Sequence, residues 1–533
     1  MKRLMLLVAL TIATSLTAQT VEIAPSTPQS RRLKSLAENA SSDVRSFYAP
    51  IGYRVVWTRN GRPTPQALAA IHLFETADAK ALRPADYDRG LWQQRVVHLT
   101  NETAIAEFDV AMTSALARYA SDLSIGRIDP LSLDFDVNPS RVYLPNIVWQ
   151  TATSADAAAA LASIEPQHPE YKRLVASLAT WRRIAIDSAA DTPLPAVAKL
   201  KSGDTYDALP QLATKLRRFG DLPAAARVEG TRYEGAIVDA VKHFQTRHGL
   251  DADGVISRKT FSQLNVPVTA RVAQIEMAIE RWRWAPSYTE GPAIVVNIPE
   301  FRLRARDAEG ELTMRVVVGK AGRHETPVFD GDLRHVVFRP YWSVPPGIQR
   351  SEIAPKVAND PSWLARNSYE IAGQPDAAID AAMIEKIRTL QVTVRQKPGT
   401  ANALGKVKFL FPNENNVYLH DTPSQSHFAR ARRDYSHGCI RLANPEALAA
   451  WTLRNVMTPE KVRAAMNGSR DDVYVRLEKT IPVMILYATA AATENGDVHF
   501  FEDIYGHDVQ LTAALEQHIT KPAAAAAMVV AAR

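Results

Sequence analysis

The hydrophobic period of this chain changes at Pro286, and no other feature constrains the fold as strongly. Upstream, apolar residues recur at three- and four-residue steps. Phe108, Met112, Leu116, Tyr119 and Leu123 predict one amphipathic helix of this kind. Downstream, short β-branched or aromatic runs are bounded by Gly, Pro and Asp: Ile294 to Ile298, Val316 to Gly319, Val336 to Phe338 and Val417 to Leu419. Val473, Val475 and Leu477 alternate, as do Val483, Ile485 and Tyr487, which is the signature of strands. Helices first and strands later make an α+β, multidomain chain. Its 533 residues, at roughly 150 per domain, leave room for three or four domains. With 46% hydrophobic and 23% charged residues, core formation is not limiting.

The segments follow from punctuation. Met1-Lys2-Arg3, the mostly apolar Leu4 to Leu16 and Thr17-Ala18 have the pattern of a secretory signal peptide over residues 1–18. The apolar run falls short of the ~20 residues a membrane span needs. Residues 19–32 read as a polar linker, and 33–200 as a mainly helical domain with a strand-like run, Tyr53 to Val56, before Trp57. Residues 201–267 form a compact module of three helices, the first two closed by Gly220 and Gly249. A linker helix is expected over 268–289 and a β-rich domain over 290–508. A helical, Ala-rich insert at about 351–404 interrupts that domain, in the manner of an active-site lid. Residues 509–533 read as a C-terminal helix and a frayed tail.

One cysteine, Cys439, stands in the whole chain, in Ser436-His437-Gly438-Cys439-Ile440-Arg441. It has no intrachain disulfide partner, so an exported protein that retains it points to chemistry. Gly438 permits close substrate approach and unusual dihedrals. His437, Arg441 and nearby Arg430, Arg432 and Arg433 are expected to lower the thiol pKa. His420, nineteen positions upstream at the end of the run Val417-Tyr418-Leu419, is the candidate base. Nucleophile, base and an oxyanion site at the Gly438 and Cys439 N–H groups are the minimum for acyl transfer. The net charge of +6, without a Lys/Arg stripe interleaved with aromatics, favours an acidic envelope over nucleic acid as partner.

His420-Asp421-Thr422-Pro423 followed by Ser436-His437-Gly438-Cys439 resembles the signature of the L,D-transpeptidase (YkuD-type) catalytic domain. Val296 to Phe301, Tyr341 to Pro346, Ala403-Leu404-Gly405, Lys408-Phe409 and Asp503-Ile504-Tyr505-Gly506 narrow the likeness to the large Gram-negative branch. That branch has a scaffold domain, a peptidoglycan-binding module and a capping insert. The stretch Ala240 to Ile256 is similar to the three-helix peptidoglycan-binding module of cell-wall enzymes.

The resemblance implies a periplasmic enzyme that forms 3→3 cross-links through a cysteine thioester. Its partners are then stem peptides: a tetrapeptide donor cut after meso-diaminopimelate and a diaminopimelate acceptor, with no cofactor, metal or nucleic acid. Carried over by position, Cys439 is the nucleophile, His420 the base and Gly438 the oxyanion position; His437 completes the catalytic set, with its side-chain role open. Arg441, Tyr418, Ser436 and Trp342 are the expected substrate-binding residues.

Rival readings are a zinc site built from His420, His427, His437 and Cys439, a papain-like peptidase, and a wall binder without chemistry. The spacing fits no standard zinc pattern. The order His before Cys departs from the papain-like family, and an intact Cys–His pair argues against an inert binder. Within the same chemistry, hydrolysis to a tripeptide and attachment of a protein to the wall remain alternatives.

Overall fold

A computed structural model describes residues 23–286 and 291–518. The expected signal segment and the tail beyond 518 lie outside the described residues. Where a linker is expected, a helix begins at Pro28, with the Thr27 hydroxyl accepting from the Ser30 N–H at 3.1 Å.

The N-terminal domain is built around α1 (Glu102–Ile125), whose buried residues occupy most of its circumference. The strand-like run before Trp57 does not join a ladder. The N–H groups of Val56 and Trp57 instead donate to the buried Asp109 carboxylate on α1, at 3.0 and 2.8 Å. Tyr48 adds its hydroxyl at 2.7 Å. A charged acceptor satisfies these buried donors better than an edge strand would. Burial pushes the Asp109 carboxyl up to about 6.

The helix α2 (Pro169–Asp187) leaves this domain for the main core, which it shares with the sheet of the β-rich domain. Next comes the helical module: α3 (Leu209–Arg218), α4 (Ala236–Arg247) and α5 (Arg258–Leu264) around Leu212, Leu216, Val241 and Phe244. An isolated pairing of Leu200 with Ile256 ties the segment before α3 to this module.

The expected linker helix is a core element. α6 (Val268–Trp284) packs on α2, and buries Glu280, Arg281 and Arg283 together with its apolar residues. Those charges are paired. Glu280 accepts from the Ile128 N–H at 3.1 Å and pairs with Arg283 at 3.0 Å. Arg281 meets Asp508 at 2.5 Å. Buried charges persist only with such partners.

The β-rich domain is a sheet that closes on itself. Its strands are β1 (Ala293–Asn297), β2 (Arg302–Asp307), β3 (Gly310–Gly319) and β4 (Phe329–Phe338). After the insert come β8 (Val407–Leu410), β9 (Leu419–His420), β10 (Asp434–Ser436), β11 (Ile440–Leu442) and β12 (Val473–Leu486). The order is β10-β3-β11-β9-β8-β4-β12-β1-β2, and β2 pairs back with β3. Closure leaves few free ladder edges.

The insert is wider and less helical than expected. It holds a three-stranded antiparallel sheet of β5 (Trp342–Ser343), β6 (Tyr369–Ile371) and β7 (Val394–Gln396), in the order β5-β7-β6. Two helices, α7 (Ala354–Asn359) and α8 (Ala381–Arg388), flank it. Strands of two and three residues are too short to show alternation, so the sequence period missed them. Its own core includes Val344, Val357, Leu364, Ile387 and Val394. Buried Gln349 donates to the carbonyls of Ile387 and Val392 at 3.0 and 2.8 Å and accepts from the Val394 N–H at 2.9 Å.

Candidate active site

Strands β9 and β11 lie side by side and parallel, with Leu419 opposite Ile440 and His420 opposite Arg441. Side chains alternate between faces along a strand. Leu419, Ile440 and Leu442 are fully buried in the core. Tyr418, His420, Cys439 and Arg441 therefore share the opposite face. Nineteen residues of chain separate His420 from Cys439, and one strand pairing brings their backbones together.

His420 is 4% exposed, and its Nδ1–H donates to the carbonyl of Asp421 at 2.5 Å. That bond holds the tautomer whose Nε2 carries the lone pair. Burial, and then the Arg441 guanidinium, push the imidazole down to about 3. Asp421 is positioned in turn: its carboxylate accepts from the Thr422 and Lys406 N–H groups at 2.7 and 2.8 Å.

The half-buried Cys439 thiol points toward the Asn416 carbonyl at 3.9 Å. The expected depression of its pKa is corrected here. Burial raises the thiol above its ordinary value, opposed by Tyr418 and, more weakly, Arg441. The arginine cluster does not supply the electropositive setting, because its members are engaged elsewhere. Arg432 pairs with Asp434 at 2.8 Å and Glu502 at 3.1 Å. Arg433 donates to the carbonyls of Val316, Phe301, Arg430 and Ala431. Arg430 lies over the Tyr435 ring. A neutral imidazole and a neutral thiol are therefore the resting forms at neutral pH.

Among the described residues Arg441 has no carboxylate partner, and it faces the site half-buried. Tyr418 lies beside the Cys439 sulfur and the side chain of Trp342, at the root of the insert. Burial and the neighbouring sulfur hold the Tyr418 hydroxyl far above its ordinary pKa.

The turn carrying the thiol is closed from inside. The Ser436 hydroxyl donates to the Cys439 carbonyl at 2.5 Å and accepts from the Gly438 N–H at 3.2 Å. Ser436 thus shapes the turn and has no donor left for substrate. Gly438 sits at φ +110°, a conformation that side chains other than glycine strain to adopt. His437 turns away from the thiol face. Its Nε2 meets Glu352 of the insert at 2.8 Å, and its ring lies 4.5 Å from that of His324. A cleft of about 600 Å³ runs along this side, between Lys320, Arg323, His324, Glu352, Tyr435 and His437. Among the described residues no three His, Cys, Asp or Glu side chains gather in a metal-holding arrangement. No helix of the described residues is long and apolar enough to cross a membrane.

Sequence reasoning missed Glu352, Asn416 and Thr326. None lies in a chemical motif, and only the folded chain brings them to the turn.

Residues 42–178 match a family model described as "Scaffold domain", 205–264 one described as "Putative peptidoglycan binding domain", and 291–475 one described as "L,D-transpeptidase catalytic domain". A protein of Haemophilus influenzae named "Putative L,D-transpeptidase" is 34% identical over 245 residues. That alignment covers 45% of this chain and 49% of the relative, so it spans about half of each. The chain thus carries a scaffold domain, a peptidoglycan-binding domain and the catalytic domain of the L,D-transpeptidase family.

Proposed function

We propose that this chain is a periplasmic peptidoglycan L,D-transpeptidase that forms 3→3 cross-links through a thioester on Cys439. The parallel register of β9 with β11 supports the reading, because it puts His420 and Cys439 on one face beside Arg441, which has no carboxylate partner among the described residues.

The resting pair is neutral. As the Cys439 sulfur attacks the carbonyl of the diaminopimelate–D-alanine bond, Nε2 of His420 takes the thiol proton. Nδ1–H on the Asp421 carbonyl keeps that nitrogen free and oriented. The oxyanion needs a backbone donor. The Gly438 N–H is engaged by Ser436, so the role falls to the Cys439 N–H, and one such donor contributes about 3–4 kcal/mol to the transition state. The tetrahedral adduct collapses as the imidazolium protonates the leaving amine of D-alanine. The side-chain amine of an acceptor diaminopimelate then attacks the thioester, its proton passing to His420, and the thiol is restored. Arg441 is the group for a stem carboxylate.

The test is incubation with defined stem tetrapeptides, read by mass spectrometry. Wild type should give a cross-linked dimer, released D-alanine and a transient Cys439 adduct, and Cys439→Ala should give none of these. Turnover by the alanine variant would overturn the thiol assignment. Free tripeptide without dimer would assign a carboxypeptidase instead.

A further inference from the structure

The motif Asp503-Ile504-Tyr505-Gly506 lies beyond residue 475, where the match to the catalytic family model ends, and the mechanism above does not use it. Its hydrogen bonds nevertheless lead to the catalytic turn. Asp503 accepts from the Tyr487 hydroxyl at 2.6 Å, and that hydroxyl accepts from the Tyr505 N–H at 2.9 Å. The Tyr505 hydroxyl donates to the Gly319 carbonyl at 2.5 Å and accepts from the Thr326 N–H at 3.2 Å. The loop between Gly319 and Thr326 is thereby pinned at both ends. Gly319 admits no side chain, since a Cβ there would stand 1.9 Å from the His324 carbonyl oxygen.

Thr326 is the last link. It is fully buried, and its hydroxyl accepts from the Gly319 N–H at 2.8 Å and donates to the Gly438 carbonyl at 2.7 Å. A peptide unit is planar and trans, so the Gly438 carbonyl and the Cys439 N–H point in opposite directions within one plane. Holding the carbonyl fixes the direction of that N–H. The Ser436 hydroxyl, bonded to the Gly438 N–H and the Cys439 carbonyl, constrains the peptides on either side. The plane between them is left to Thr326.

We propose that Thr326 is a positioning residue for acyl transfer: by clamping the Gly438 carbonyl it aims the Cys439 N–H at the developing oxyanion. Tyr505, through Gly319 and the Thr326 N–H, holds Thr326 in place. This rests on the thioester reading, and it adds a residue that never touches substrate. A donor misaimed by about 1 Å costs on the order of 10²-fold in rate.

Thr326→Val keeps the shape and removes the hydroxyl. With a stem tetrapeptide, kcat for acylation should fall on the order of 10²-fold while KM stays within about twofold. Alkylation of Cys439 by iodoacetamide needs no oxyanion donor and should keep its wild-type rate. Thr326→Ser should restore most of kcat. If Thr326→Val does not fold, Tyr505→Phe, which removes the supporting hydroxyl from a half-exposed ring, is read by the same criteria. A wild-type kcat in the variant tested would overturn the proposal. So would a parallel fall in kcat, alkylation rate and melting temperature, which marks general loosening. Failure of the wild-type enzyme to acylate at all would instead overturn the thioester reading, so the two failures are distinguishable.

Discussion

The peptidoglycan-binding module and the insert each have a separate core, yet they are attached to the catalytic barrel in opposite ways. The module is joined through buried charge. Arg247, 2% exposed, grips Asp221 at 2.6 and 2.8 Å and donates to the Val498 carbonyl at 2.5 Å. That carbonyl belongs to β14 (Val498–Phe500), which pairs with β13 (Ala490–Ala492) in a hairpin on the catalytic domain. Beside it His248 lies between Phe244 and Phe500, its ring 3.7 and 5.6 Å from theirs. The insert makes its contact at the catalytic turn through His437 and Glu352, whose side chains are 38% and 42% exposed. Water and salt screen such a pair, whereas undocking the module would take from the buried Arg247 the Val498 carbonyl that crosses the joint. The module's contact with the barrel is thus buried, and the insert's contact at the turn is partly exposed.

Three substitutions would break or sharpen this contrast. Arg247→Leu takes the guanidinium from the buried Asp221 carboxylate, leaving it the His243 imidazole at 2.7 Å, and removes a donor from Val498. It should cost about 3–5 kcal/mol, read as a fall in the main unfolding transition in denaturant. A second, separate transition for the module would mean that the joint is weaker than the buried Arg247–Val498 contact implies. Ile387→Ala opens a void in the insert core and should cost about 2–5 kcal/mol, confined to that core. Hydrogen exchange should quicken over 342–404 and stay unchanged in the barrel strands; loss of protection in β8 or β9 would show that insert and barrel form one cooperative unit. Glu352→Gln should change global stability by less than about 1 kcal/mol. Its effect should appear as faster exchange around Glu352 and altered turnover, and unchanged exchange there would show that the His437–Glu352 contact does not hold the insert at the turn.

The legible part of the site was that carried by unusual residue types in a fixed local order. A lone cysteine after Ser-His-Gly, with an upstream histidine ending a β-branched run, announces itself because few structural roles demand that string. The electrostatics were misread for the converse reason. Arg430, Arg432 and Arg433 are close to Cys439 in sequence, but their fields depend on direction and on partners, and Asp434, Glu502 and several carbonyls claim the last two. Burial then raises the thiol that proximity was expected to lower. The linker helix was misjudged in a similar way. A period of 3.6 shows that α6 has an apolar face, but not that Glu280, Arg281 and Arg283 find buried partners from Ile128, Glu280 and Asp508.

The sequence by itself determined the class of each region, the change from helix to strand at Pro286, and which atoms could serve as nucleophile and base. Periodicity and residue chemistry are local properties, readable one window at a time. The fold alone decided that a parallel pairing sets His420 beside the turn of Cys439, that both rest neutral, and that Thr326 holds the Gly438 carbonyl. Strand register, burial and hydrogen-bond direction depend on residues far apart in the chain, and they acquire values only when the barrel closes.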